Sequence, residues 1–201
     1  AHTLKIKCAD DFDLEKTISN KPFLFFYDDS FSRGFVLNHK KVLAKFSQKG
    51  RMLMVELCTS RKLTLAEMEF LKKRLIFCLG CQESLDKFYV LVENDPVLMK
   101  YYDKICGSRV LSAFDEFEAL VSIVCSQNTT FPNYRGLVNN LIELFGGREY
   151  FPTPAEILEN EEKLNFARVG YRRGFIRELA EFFLKRGRFY IPEETELRRI
   201  K

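Results

Sequence analysis

Apolar and polar positions alternate through the first sixty residues. "TLKIKC" at 3–8 is a short alternating run. "FLFFYDDSFSRGFVLN" at 23–38 is two aromatic-rich runs around a polar break at Asp28, Asp29 and Ser30. "KVLAKFSQKGRMLMVEL" at 41–57 reads as a hairpin joined at Gln48-Lys49-Gly50, where glycine can take a positive φ. The period then lengthens. Leu65, Met68, Leu71, Leu75 and Cys78 or Leu79 recur at helical spacing, with Lys72, Lys73 and Arg74 turned outward. Thr64 with Glu67 three residues on is a capping-box pattern. This half predicts an antiparallel sheet with one long helix packed on it.

From about residue 90 the pattern is helical to the end. Asp95-Pro96 is a helix-start signal. Helix 114–126 carries Phe117, Leu120, Val121 and Val124 on one face. Helix 131–145 carries Leu137, Val138, Leu141, Ile142 and Phe145 and stops at Gly146-Gly147. Thr153-Pro154-Ala155-Glu156 supplies a cap, a proline at the first helical position and a glutamate at the third. Helix 172–186 is expected to bury Phe175, Ile176, Leu179, Phe182 and Phe183 and to stop at Gly187. Pro192 opens a last helix with Leu197 and Ile200. The fold class is therefore α+β, with an antiparallel α+β domain over 1–92 and a helical domain over 93–201. No internal repeat is visible.

Between helices 114–126 and 131–145 stands a polar knuckle, Ser126-Gln127-Asn128-Thr129-Thr130. An Asn in the left-handed region can close one helix, and Thr130 can cap the next. That accounts for one amide and one hydroxyl. Gln and Asn also carry a donor and an acceptor on one planar group, which suits base edges. The residues alone leave both readings open.

Composition narrows the class. The chain has 201 residues, 30% of them charged and 46% apolar, which suits a globular chain with a sizeable core. No apolar run approaches the roughly 20 residues that span a bilayer, and "AHTLKIKCADDF" has no signal-peptide apolar region. A cytoplasmic protein is expected, nucleoid-associated if prokaryotic, unless a leader has been removed. Six cysteines are spread along the chain, and only Cys78 and Cys81 form a CxxC. Helical spacing puts both on one face, which fits packing. Zinc or redox chemistry is the rival, but the chain has only two histidines, His2 and His39. No metal and no cofactor are expected.

Net charge is only +4, but its distribution is uneven. Arg168, Arg172, Arg173, Arg177, Lys185, Arg186 and Arg188 face only Glu178 and Glu181 across that stretch. This is a polyanion footprint or an ordinary solvated helix face. The chain holds no GxGxxG, P-loop or HExxH motif. Nothing in the residues carries catalysis by itself.

"FDEFEALVSIVCSQNTT", "LFGGREYFPTPAEIL" and "ARVGYRRGFIRELAEFF" resemble successive segments of the helix-hairpin-helix DNA glycosylases, the 8-oxoguanine and alkylated-base branch above all. The resemblance covers about 94–201, with a weaker match at "DDFDLEKTISNKPF". It implies a TBP-like antiparallel N-terminal half and an all-α glycosylase-type domain that binds duplex DNA and flips one nucleotide. In that family a side chain from the knuckle fills the hole left in the stack, and Asn128 matches it, flanked by Gln127 and Thr129. Gly170-Tyr171-Arg172 resembles a second motif, in which the aromatic wedges beside the unpaired base and the arginine hydrogen-bonds to it. Arg173 follows as a further candidate contact. The expected partner is double-stranded DNA containing a damaged base, bound by a monomer, with no membrane.

Three departures matter. Asn20 stands where the 8-oxoguanine enzymes carry a glycine that reads the lesion. A family arginine after the knuckle aligns with Asn133. "ELRRIK" resembles the first helix of the hairpin, so the hairpin and the catalytic aspartate are expected beyond Lys201. No catalytic residue is assigned within the chain, which is expected to be C-terminally truncated and inactive alone. A non-catalytic DNA-binding or damage-sensing module and a protein-interaction domain are the alternatives.

Overall fold

A computed structural model describes residues 2–19 and 31–187. The aromatic run 23–30, the Asn20 departure and the helix expected from Pro192 lie outside the described residues. The contacts fall into two compact units. One comprises the described residues up to Phe114 together with Gly146–Phe151; the other comprises Asp115–Phe145 and the described residues from Pro152 on.

In the first unit, β1 (His2–Lys7), β2 (Ser32–Leu37), β3 (Lys40–Lys49) and β4 (Met52–Thr59) form an antiparallel sheet of order β1-β4-β3-β2. Alternation fixes the buried face: Leu4, Ile6, Val42, Ala44, Phe46, Leu53, Val55 and Leu57 all point into the core. Two hairpins set the register. Asn38 and His39 both have positive φ (46° and 62°), as a two-residue turn between right-twisted strands requires. The second loop differs from the expectation. β3 runs on to Lys49, which pairs with Met52, so the turn is Gly50-Arg51, with Gly50 at φ 55°. The outer edge of β2 is closed by a bridge to Tyr150, with Gly34 N donating to the Glu149 carbonyl at 2.8 Å. A Cβ on Gly34 would lie 2.3 Å from the Tyr150 ring, so only glycine permits that approach.

Helices α1 (Leu14–Ser19), α2 (Leu65–Leu79), α3 (Asp86–Glu93) and α4 (Tyr102–Ile105) complete this unit. The capping box of α2 forms as its sequence predicts. Thr64 Oγ1 accepts from Glu67 N, and the Glu67 carboxylate accepts from Thr64 N at 2.8 Å. Lys40 from β3 reaches the same carboxylate at 2.8 Å. Those hydrogen bonds, the Lys40 one foremost, then Thr64 N and Asn38, hold Glu67 down at about 2. The α2 helix buries Leu71, Leu75, Cys78 and Leu79 and ends at Gly80 in the left-handed region (φ 56°). Asp95 starts only a short turn: its Oδ1 accepts from Val97 N and Leu98 N ahead of a 3₁₀ turn, Leu98–Tyr101. Cys78 donates to the Ala113 carbonyl at 3.3 Å, and Cys81 is fully buried, so both halves of the CxxC are packed.

The second unit contains α5 (Glu116–Ser126), α6 (Phe131–Gly146), α7 (Pro154–Glu159) and α8 (Arg172–Arg186). Asp115 caps α5 by accepting from Glu118 N at 2.7 Å. Thr153, Pro154 and Glu156 form the predicted N-terminus of α7, capping box included. Gly187 closes α8 at φ 74°. α8 packs on α5 and α7. Phe117 and Phe183 meet edge to face, with centroids 5.5 Å apart. The buried stripe of α8 is Arg172, Ile176, Ala180 and Phe183. Phe175 is not buried as expected but half exposed, because at 100° per residue Phe175, Leu179 and Phe182 form a neighbouring stripe. With Leu120, Ile123 and Val124 of α5, that stripe walls an apolar groove of about 420 Å³.

Candidate nucleic-acid interface

The knuckle begins where α5 runs out of partners for its carbonyls. An α-helix leaves its last carbonyls without helical donors. Ser126 turns its hydroxyl back to the Ile123 carbonyl at 2.8 Å. Gln127 is extended (φ −66°, ψ 134°), and its N–H donates to the Val124 carbonyl at 3.3 Å. Asn128 follows at φ 49°. That is the left-handed conformation, where Asn is the best tolerated residue after glycine. The Thr130 carbonyl then accepts from Tyr134 N at 2.9 Å as α6 begins. Gln127 caps α5, and Asn128 turns the chain onward toward α6. That turn leaves the side chain unused: among the described residues, no hydrogen bond forms to the side chains of Gln127, Asn128 or Thr129. Gln127 and Asn128 are exposed and Thr129 is half-buried.

Arg172 finishes the job from the other side. It stands at the N-terminus of α8, 8% exposed. Its Nε donates to the Val124 carbonyl at 3.1 Å and its Nη2 to the Gln127 carbonyl. A guanidinium on the carbonyl end of a helix adds a second donor to the Val124 carbonyl, supplies one to the Gln127 carbonyl and sits at the negative end of the dipole. The family resemblance implies a fork aimed at a base. Here two of the three guanidinium nitrogens are bonded to the protein's own backbone.

The same guanidinium carries Tyr171. Its Cζ lies 4.7 Å from the centroid of the Tyr171 ring, which is 57% exposed. Arg172 thus brings the knuckle and the aromatic together: Gln127, next to Asn128, is hydrogen-bonded to the residue next to Tyr171. Tyr171 leads into α8 from a tight loop, Ala167–Gly170, with Arg168 at φ 59° and Gly170 at φ 60°. Val169 in that loop is fully buried, and Asn140 of α6 donates to the Ala167 carbonyl at 3.2 Å. Sequence reading missed Asn140; an amide inside the apolar pattern of a helix was the available signal.

The local charge is thinner than the seven basic residues of this stretch suggest. Arg172 is buried. Arg177 pairs with Glu181 at 3.0 Å and lies 3.9 Å from Glu161. Arg188 is outside the described residues. Arg168, Arg173, Lys185 and Arg186 remain exposed, with Arg173 bonded to the Asn165 side chain. Beneath the knuckle, burial pushes the Cys125 thiol up to about 12, against the opposing charge of Arg172. It is a neutral packing group. The groups gathered here are amides, hydroxyls, a phenol and guanidiniums. Such groups offer hydrogen bonds, a stacking face and positive charge.

No sequence-family profile matches the chain, and no curated protein sequence matches it. Solved structures do. The 3-methyladenine DNA-glycosylase from Archaeoglobus fulgidus superposes with a TM-score of 0.70 at 20% identity over 88% of this chain. MBOgg1 in complex with a low-affinity DNA ligand gives 0.65 at 21% over 95%. The apo 8-oxoguanine glycosylase/lyase of Clostridium acetobutylicum gives 0.57 at 17% over 94%. The chain spans 66%, 65% and 66% of the length of those three chains. Sheet, helices and their order together give the chain a DNA-glycosylase-like fold.

Proposed function

We infer that this chain is the damage-recognition part of a base-excision-repair DNA glycosylase. The observation that carries the reading is the Arg172 bridge, which ties the loop carrying the exposed Asn128 to the residue next to the exposed Tyr171 ring. The partner is duplex DNA with a damaged base. Asn128 fills the space vacated when a nucleotide leaves the stack, and Tyr171 stacks beside the base left behind. Gln127 and Thr129 border the inserted amide. Arg172 holds the loop and the ring in register. Arg173, exposed beside them, meets phosphate. In the complete protein the outcome is hydrolysis of the N-glycosidic bond, a step for which no described residue is assigned.

Duplexes with an abasic or mismatched site, set against intact duplex, test this by fluorescence anisotropy. The chain should prefer the defective duplex, and affinity should fall steeply with salt. Stacking of one base on an aromatic is worth about 1–3 kcal/mol, so Tyr171→Ala should cut the preference by about tenfold. A preference untouched by both Asn128→Ala and Tyr171→Ala would overturn the assignment.

The same exposed groups, Asn128 and Tyr171, also suit one second reading, a damage sensor without catalysis. Base release by the protein of the complete reading frame separates the two. Release supports the enzyme, and binding without release supports the sensor.

A further inference from the structure

The outer face of the sheet carries a second observation, independent of the knuckle. Pairing register places the residues facing away from the core in rows. Lys7, Met52 and Lys49 form one; Lys5, Met54 and Ser47 the next; Thr3, Glu56, Lys45 and Ser32 the third. Lys41 lies on the same face, above the Tyr150 ring at 5.3 Å. Lys5, Lys7, Lys45 and Lys49 thus share one sheet face on which the paired strands place one carboxylate among the described residues, Glu56, directly across from Lys45. Lys5, Lys7, Lys45 and Lys49 are exposed, and no described carboxylate forms an ion pair with any of them.

Ordinary reasons for surface lysine do not account for this arrangement. Charge on an edge strand blocks edge-to-edge pairing, which explains Lys5 and Lys7 on β1. It gives no reason for Lys45 and Lys49, because β3 is an interior strand paired on both sides. Solubility is served by interspersed charges of both signs; this face is nearly all of one sign.

We propose that the outer face of the β1-β4-β3-β2 sheet is a second polyanion-binding surface that grips the phosphate backbone of nucleic acid without reading bases. Lys5 and Lys7 stand about 6.8 Å apart along β1, twice the ~3.4 Å rise per nucleotide of one DNA strand. Lys7 and Lys49 flank Met52 across two strand spacings, about 10 Å. The described face offers ammonium groups and thioethers, with no amide fork for base edges and no exposed aromatic to enter a bilayer interface, which favours backbone contact over sequence readout or membrane insertion. Such a surface gives the protein sequence-independent affinity for intact duplex while the knuckle supplies the preference for damage. The inference rests on duplex DNA being the partner.

The test compares the full chain with a variant carrying Lys5→Gln, Lys7→Gln, Lys45→Gln and Lys49→Gln, and with a control carrying Arg at the same four positions. Binding to intact duplex is followed over a salt series. Each phosphate contact contributes about 0.9 to the slope of log K against log salt. The glutamine variant should show a slope shallower by about two to four units, weaker binding to intact duplex and an unchanged ratio of defective to intact duplex. The arginine control should keep the slope, which shows that the loss is one of charge and not of folding. An unchanged slope in the glutamine variant overturns the proposal. So does a variant that keeps its DNA slope but loses binding to phosphatidylserine vesicles, which would assign the face to a membrane surface. If the unmodified chain binds no duplex at all, the DNA reading itself fails. If it binds and only the sheet variant behaves like the parent, this inference alone fails.

Discussion

Arg172 donates to the backbone carbonyl of Gln127, and through that bond the start of α8 is tied to the loop that ends α5. The two segments are 45 residues apart in sequence. Without Arg172, the Gln127 carbonyl would lose its guanidinium donor, the Val124 carbonyl would keep only the Gln127 N–H, and the Tyr171 ring would lose the cation beside it. The loop and the ring are therefore one structure.

Arg172→Gln should loosen that structure. A hydrogen bond to a charged group contributes about 1.5–3 kcal/mol, so denaturant unfolding should show a loss of about 2–3 kcal/mol. Lesion preference should fall by more than overall duplex affinity. Arg172→Lys, which restores the charge but not the fork, should recover part of the stability and little of the preference.

Asn128 offers a cleaner separation of shape from chemistry. Its φ of 49° suits glycine at least as well as Asn. Asn128→Gly should fold with unchanged or slightly altered stability and lose preference for defective duplex. Asn128→Val should lose stability as well, by about 1–2 kcal/mol, because a β-branched residue resists the left-handed region. Chemical denaturation and anisotropy on the same three proteins check both halves.

The legible parts of this fold were those where one local signal sufficed. Both capping boxes, the glycine stop at Gly187 and the alternation in β1, β3 and β4 follow from spacing alone. The turn at Asn38-His39 was legible too, in a pair that tolerates positive φ, yet was read as strand end. The split of α8 into two apolar stripes was not, because periodicity marks a helix face as apolar without saying which neighbour covers it. Asn128 and Tyr171 were readable only by resemblance. The Arg172 bridge was not readable at all: a guanidinium looks the same in sequence whether it meets a base or a carbonyl.

The sheet domain has its own acid-sensitive fastening. Glu67, held at about 2 against an ordinary 4.5, is more acidic folded than unfolded. Its contribution is fully present above about pH 4.5 and disappears as pH falls through about 2. Glu67→Gln should therefore lower Tm at pH 7, and the gap between variant and parent should close on acidification through that window. A gap that does not change with pH would place the Glu67 contribution in packing instead of charge.

The cysteines should separate by burial. Cys58 is exposed, whereas Cys8, Cys78, Cys81 and Cys125 are buried. In the native protein at pH 8, an alkylating reagent followed by mass spectrometry should mark Cys58 first. Cys125, a neutral thiol up to about 12, should react only after unfolding. Early labelling of Cys125 would show that the knuckle opens.

The most direct measurement of the central claim uses a duplex with 2-aminopurine in a mismatched pair, whose fluorescence rises when the base leaves the stack. A several-fold rise is expected on saturation with the parent chain, and little or none with Asn128→Gly or Tyr171→Ala at concentrations where both are bound. Saturation with no rise, or an equal rise in all three proteins, would contradict the claim that Asn128 and Tyr171 act together to hold a nucleotide out of the helix.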